Sequence, residues 1–122
     1  MAWKNYRELI AWQKAMDAAE EIYKVVKKLP KMELFAMSDQ MRRAAVSVPS
    51  NIAEGQARSS KKEFAWFLSV AQGSRAELET QLMLAVKIGY LPATDIEKAL
   101  GLLEEISKLL TVLMHSQRPS LK

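Results

Sequence analysis

Apolar residues recur at spacings of three and four in four separate stretches of the chain. The first row is Leu9, Trp12, Met16, Ala19, Tyr23 and Val26; the second is Leu34, Met37, Met41, Ala45, Val48 and Ile52. Phe64, Phe67, Ala71, Leu78, Leu82 and Ala85 form the third, and Ile96, Leu100, Leu103, Ile106, Leu110 and Leu113 the fourth. This period is that of a helix burying one face, and no period-two alternation competes with it. Pro30, the Gly55 region and Pro92 separate the stretches, and the last ends before Pro119. Short connections between long helices favour antiparallel neighbours. The expectation is an all-α, antiparallel up-down-up-down four-helix bundle forming one domain over 1–122. Its helices are expected over about 6–29, 33–57, 61–88 and 95–114, with a disordered tail over 115–122.

The boundaries carry their own chemistry. Ser60-Lys61-Lys62-Glu63 and Thr94-Asp95-Ile96-Glu97 both fit the capping box, in which a hydroxyl and a Glu satisfy each other's free amides. Gly89 followed by Pro92 is a stop signal for the third helix. Pro49 lies inside the second apolar row, where it removes an amide donor and crowds the carbonyl of Ala45. Because the row stays in phase through Ile52, a kinked but continuous second helix is expected.

The second helix also carries a polar row, Gln40, Arg43, Ser47, Asn51, Glu54 and Arg58. Three readings stand open. It is a solvated face with Glu54–Arg58 as an i,i+4 pair, a polar network between helices or subunits, or a ligand groove. In the network reading Ser47, Asn51 and Glu54 take part, and Ser47 or Asn51 answers the carbonyl that Pro49 leaves free. The third helix opens with apolar residues in nearly every direction, Phe64 to Ala71, and Leu102, Leu109 and Val112 lie outside the fourth row. A bundle helix has one face toward its own core, so these excesses predict self-association, with a wide core stripe in a small bundle as the alternative. Gly73-Ser74, in mid-helix, would let another helix approach closely.

Composition narrows the chemistry. The 122 residues include no Cys and one His, which excludes disulfides, thiolate metal sites and His-rich metal sites. Glu-x-x-His pairs of a di-metal bundle, a glycine-rich phosphate loop, G-x-S-x-G and H-E-x-x-H are all missing. Glu54 beside an apolar row is a lone carboxylate without a catalytic partner. The chain therefore reads as non-enzymatic and free of cofactors. The N-terminus lacks the apolar core of a signal peptide, and the longest uncharged run, Phe64 to Ser74, is too short to span a membrane. A cytoplasmic protein is expected.

The formal charge of +4 is unevenly spread: residues 24–75 carry a net +6 between two slightly acidic flanks. In an up-down bundle these residues fall into two clusters, one at each end. Arg42, Arg43, Arg58, Lys61 and Lys62 are the candidate phosphate contacts for RNA or DNA, with ordinary solvated charge as the alternative.

Gln40 to Gly55, with its Ser47-Val48-Pro49-Ser50-Asn51-Ile52-Ala53-Glu54-Gly55 core, resembles the signature of the bacterial four-helix bundle proteins known as 23S rRNA intervening-sequence proteins. Leu9 to Ala15, Leu29-Pro30 with Glu33, Arg58 to Phe64, Ala71 to Glu79 and Gly89-Tyr90-Leu91 are similar to the family's other motifs, so the resemblance covers about residues 5–114. It implies an antiparallel four-helix bundle that assembles as a homopentameric ring. A related branch, the accessory variability determinant of diversity-generating retroelements, implies two possible partners, nucleic acid and a protein such as a reverse transcriptase.

Overall fold

The computed structural model describes residues 5–117, and these form four α-helices with three short 3-10 turns and no strand. The helices are α1 (Ile10–Val26), α2 (Met37–Gln56), α3 (Lys61–Lys87) and α4 (Glu97–Ser116). Each packs against two others, and all four contribute to one apolar core. Three ion pairs join α1 and its C-terminal extension to the α4 segment: Lys14–Glu105 at 3.6 Å, Glu21–Lys98 at 3.3 Å and Lys28–Asp95 at 3.5 Å. The numbers rise on one partner as they fall on the other, so these two segments run in opposite directions. Between α2 and α3, Ser47 meets Ser74 while Gly55 faces Phe64 and Phe67, which gives the same opposed order.

Several helix ends differ from the periodicity-based expectation, each for a local reason. Tyr6–Glu8 is a separate 3-10 turn closed by a capping box of Asn5 and Glu8, and extended backbone at Leu9 divides it from α1. After Pro30, Lys31–Glu33 forms another 3-10 turn, and Ala36 at φ −123°, ψ −102° delays α2 until Met37. The expected capping box at Thr94 does not form. Ala93–Ile96 is a 3-10 turn following Pro92, and α4 begins without a side-chain cap. At Ser60 half of the expected box is present. The hydroxyl accepts from the Glu63 amide at 3.1 Å and itself donates to the Glu63 carboxylate at 3.1 Å, which therefore does not return to the backbone. His115 and Ser116, expected in a disordered tail, belong to α4; residues 118–122 of that tail lie outside the described residues.

Gly89 ends α3 as the stop signal requires. At φ 89° it sits in the left-handed region, with Tyr90 N donating to Ala85 O at 2.9 Å and Gly89 N to Val86 O at 3.0 Å. This pair of bonds is a Schellman closure. The Tyr90 hydroxyl then donates to Glu33 at 2.6 Å, tying the end of α3 to the α1–α2 connection. That hydrogen bond to Glu33 raises the phenol above its ordinary pKa.

The apolar rows of α2, α3 and α4 face inward largely as their spacing predicts, with Met41, Ile52, Leu68, Leu78, Leu82, Leu103, Ile106 and Leu110 fully buried. The α1 row is corrected. Its buried face is Ala11, Ala15, Ala18, Ile22 and Val25, while Met16 and Tyr23 are exposed and Trp12 and Ala19 flank the core. Leu34 likewise falls outside α2 and is exposed. Small residues win the inner position on α1 because they admit a neighbouring helix closely, and size alone does not decide burial. Leu102 and Leu109 also turn out to be half-buried against the core, which leaves Val112 as the outward residue of that group.

α2 runs unbroken through Pro49, which is itself buried. It comes close to α3 at Gly55, where an added Cβ would stand 2.6 Å from the Phe67 Cβ and 3.0 Å from a Phe64 ring carbon. Around Gly73 nothing of this chain lies within 4 Å of such a carbon.

These contacts set two measurements. Gly55→Ala forces Phe67 and its backbone to move, an overpacking cost of about 1–3 kcal/mol. Gly73→Ala meets open space on an exposed helix and is expected to stabilise by up to about 1 kcal/mol through helix propensity. Urea denaturation of both variants checks the opposite signs. The second measurement concerns Glu21. Burial pushes its carboxyl upward, but the hydrogen bonds and charges of Lys24 and Lys98 together outweigh this and hold it below the usual carboxylate range. A carboxyl lowered on folding stabilises above its unfolded pKa, and that contribution is lost as pH falls through the lowered value. Glu21→Gln should therefore lower Tm by a few degrees at pH 7, and the difference from wild type should vanish at pH values below the carboxylate range.

Candidate nucleic-acid interface

The candidate cations do not form one patch. Arg42 stands at the α1–α2 end, where it lines an apolar-floored cleft of about 230 Å³ with Val26, Lys27, Leu29, Pro30, Lys31, Leu34 and Ser38. It makes a single long hydrogen bond, 3.4 Å to the Leu34 carbonyl. Arg43, one residue on, is turned out to solvent and pairs with Asp39 at 3.1 Å. Arg58, Lys61 and Lys62 lie at the α2–α3 connection, beyond the end of α2, which is itself about 21 Å of helical rise from Arg42. Arg58 is committed within the fold: its guanidinium bonds Glu54 at 2.8 Å and lies 4.9 Å over the Phe67 ring. Lys61 and Lys62 are exposed in the first turn of α3, and neither forms an ion pair among the described residues.

Of the three candidate network residues, the structure brings two together. The Ser47 and Ser74 hydroxyls are 2.8 Å apart across the α2–α3 seam, and Asn51 donates to the Ser47 carbonyl at 2.8 Å and to its hydroxyl at 2.9 Å. The Asn51 amide thus supports Ser47, not the Ala45 carbonyl that Pro49 leaves without its helical donor. Glu54 stays outside, paired with Arg58. On the next face of α3, Gln72 donates to the Ser107 carbonyl at 3.1 Å and to the Thr111 hydroxyl at 3.3 Å, both on α4. Arg75 fixes that Gln at 2.8 Å and reaches Glu79 at 2.9 Å. The segment Gln72–Glu79 therefore clamps α3 to α2 through Ser74 and to α4 through Gln72. Arg75, one of the basic residues of the middle segment, is spent inside this clamp.

Lys27 and Lys31 are what the candidate set omits. Both line the Arg42 cleft, and neither has an ion-pair partner among the described residues, whereas Lys24 and Lys28 are held by Glu21 and Asp95. The run Lys27-Lys28-Leu29-Pro30-Lys31 was the available signal, because the first connection of a bundle lies beside the start of its second helix. Among the described residues no cluster of His, Asp and Glu could hold a metal ion, and no helix is long and apolar enough to cross a membrane.

Comparison with known proteins gives a consistent identification. A crystal structure of a protein of unknown function from the S23 ribosomal protein family of Bacteroides thetaiotaomicron superposes with a TM-score of 0.79 at 27% identity, covering 86% of this chain and 98% of the other. No curated protein sequence matches the chain. The family model described as 23S rRNA-intervening sequence protein matches residues 7–112. The chain belongs to the 23S rRNA-intervening sequence protein family.

Proposed function

We propose that the protein is a non-enzymatic, cytoplasmic homo-oligomer, a pentamer by its family resemblance, that binds RNA or DNA through basic side chains at its two ends. The observation that carries this reading is the division of the cations. Among the described residues, eight basic side chains are held by carboxylates, whereas Lys27, Lys31 and Arg42 at one end and Lys61 and Lys62 at the other are not, nor are Arg7 and Lys87. Cations without internal partners are the ones available to phosphates, and a closed ring would multiply them. Arg43 and Arg58 contribute by exchanging a surface carboxylate for a phosphate, a small cost because exposed pairs contribute about 0.2–1 kcal/mol.

Self-association draws on α3. Trp66 is 61% exposed, and Leu84 and Ile88 are exposed on the same outward side. A scaffold for a protein partner, such as a reverse transcriptase, is the second reading. It is favoured by Met32 and Phe35, the latter 90% exposed, which stand apart from that side in the α1–α2 connection.

Light scattering on purified protein gives the assembly. A mass near one 13.8 kDa chain would overturn the oligomer. Anisotropy titrations of a labelled single-stranded RNA over a salt series give the contacts. Affinity should fall log-linearly with salt, and Lys61→Gln/Lys62→Gln should reduce the slope by about 0.7 for each lost phosphate contact. Absence of binding at low salt, or a slope near zero, would remove nucleic acid and leave the scaffold reading.

A further inference from the structure

We infer that the cleft between the end of α1 and the start of α2 is a binding site for a nucleoside monophosphate unit, its phosphate held by Lys27, Lys31, Arg42 and Ser38 and its ring resting on Leu29, Pro30 and Leu34. The inference rests on the nucleic-acid reading only for the source of the ligand; the site itself is built from local observations.

Three of these are independent. First, the rim carries three cations and no carboxylate. Three nearby acids are paired with other cations, Asp39 with Arg43, Glu21 with Lys24 and Lys98, and Asp95 with Lys28, while Glu33 keeps its charge beside the start of α2 without lining the cleft. Like charges gathered around an apolar floor repel one another, and an anion relieves that repulsion. Second, Ser38 is 3% exposed, lines the cleft, and its hydroxyl has no hydrogen-bond partner among the described residues. The hydroxyl is not sealed in the core: it opens on the cleft, where it offers a ligand oxygen one donor and one acceptor. Third, α2 starts here without a side-chain cap, since Ala36 is the capping residue. The Met37 amide finds only a 3.4 Å contact with Glu33, and the first regular backbone bond is Gln40 N to Ala36 O. The amides of Ser38 and Asp39 are left as donors at the positive end of the helix.

The dimensions select the ligand class. About 230 Å³ is below the range of about 300–1,000 Å³ that encloses a whole drug-sized molecule. It accommodates a phosphate and one ring, with the remainder in solvent. Three cations, a hydroxyl and two amides match the oxygens of a phosphate monoester, which carries up to two charges near neutral pH.

The test is an amide chemical-shift titration of the isotopically labelled full chain with AMP, adenosine and inorganic phosphate. AMP should shift the amides of Lys31, Leu34, Ser38 and Arg42 saturably. Adenosine should bind at least about tenfold more weakly, because the charge-assisted contacts are missing, and phosphate should bind more weakly than AMP because the ring contact is missing. Arg42→Gln and Lys31→Gln should each weaken AMP about tenfold while leaving the shifts of α3 and α4 residues unchanged, which reports an intact fold. No local shift with millimolar AMP, adenosine equal to AMP, or unaltered AMP affinity in both variants would overturn the site.

Comparing 5′-phosphorylated with 5′-hydroxyl oligonucleotides identifies the source. A preference for the phosphorylated strand assigns the site to a nucleic-acid end, and equal affinities with AMP binding intact assign it to a free nucleotide. If AMP binds and no oligonucleotide does, the nucleic-acid reading fails and the cleft stands. If RNA binds with its salt dependence but AMP does not, the cleft fails alone.

Discussion

The approach of α2 to α3 at Gly55 sets the geometry on which the rest of the bundle depends. With Phe67 Cβ 2.6 Å from where a Cβ would stand, no side chain fits between the helices at that point, and their separation there is set by backbone against aromatic. Eight residues back along α2, about 12 Å by helical rise, the same spacing brings the Ser47 hydroxyl within 2.8 Å of Ser74. Two short hydroxyls reach each other only across a narrow gap. Asn51, between the two points, braces Ser47 from below through both its carbonyl and its hydroxyl. A close apolar contact and a polar contact thus fix one seam at two heights, and the register of α2 on α3 follows from the pair.

The opposite side of α1 is organised by charge. Lys14–Glu105, Glu21–Lys98 and Lys28–Asp95 lie on the solvent side of the α1–α4 contact and contribute little individually. Their larger effect is on what remains. Each carboxylate drawn into this ladder is one fewer to neutralise the lysines that follow α1, and the ladder ends at Lys28. Lys27 and Lys31, on either side of it, are left facing Arg42 across the cleft. The position of the free positive charge is therefore a consequence of how α1 meets α4, not of the total charge of the chain.

Much of this was legible from residue spacing, and the exceptions share a cause. Four helices, the burial of Met41 to Ile52, the stop at Gly89 and the Glu54–Arg58 pair all follow from periodicity or local chemistry. Met16 and Tyr23 misled because spacing names a face without saying which of two adjacent faces meets a neighbour. Ala11, Ala15 and Ala18 won that face because a partner helix comes close, a fact about the partner. The same holds for the two glycines: Gly55 and Gly73 look alike in sequence, and only the identity of the opposing residue separates them. Thr94 failed as a cap because Pro92 led the chain into a 3-10 turn before α4 could start. Partial burial of Leu102 and Leu109 absorbed some of the apolar excess that the sequence assigned to self-association.

The residues that carry the family resemblance have mostly architectural work in this fold. Gly55 spaces α2 from α3, Ser47 and Asn51 pin them, Gln72, Ser74 and Arg75 clamp α3 to both neighbours, and Glu33, Gly89 and Tyr90 close the far end. Residues committed to contacts within the fold identify that fold and say little about what it binds. The side chains that the fold leaves uncommitted lie elsewhere. Lys27 and Lys31 lie outside every one of those motifs, and Arg42 lies inside one while bonding only a distant carbonyl. The cleft's cations make none of the interhelical contacts described above, so they can be replaced without disturbing the bundle.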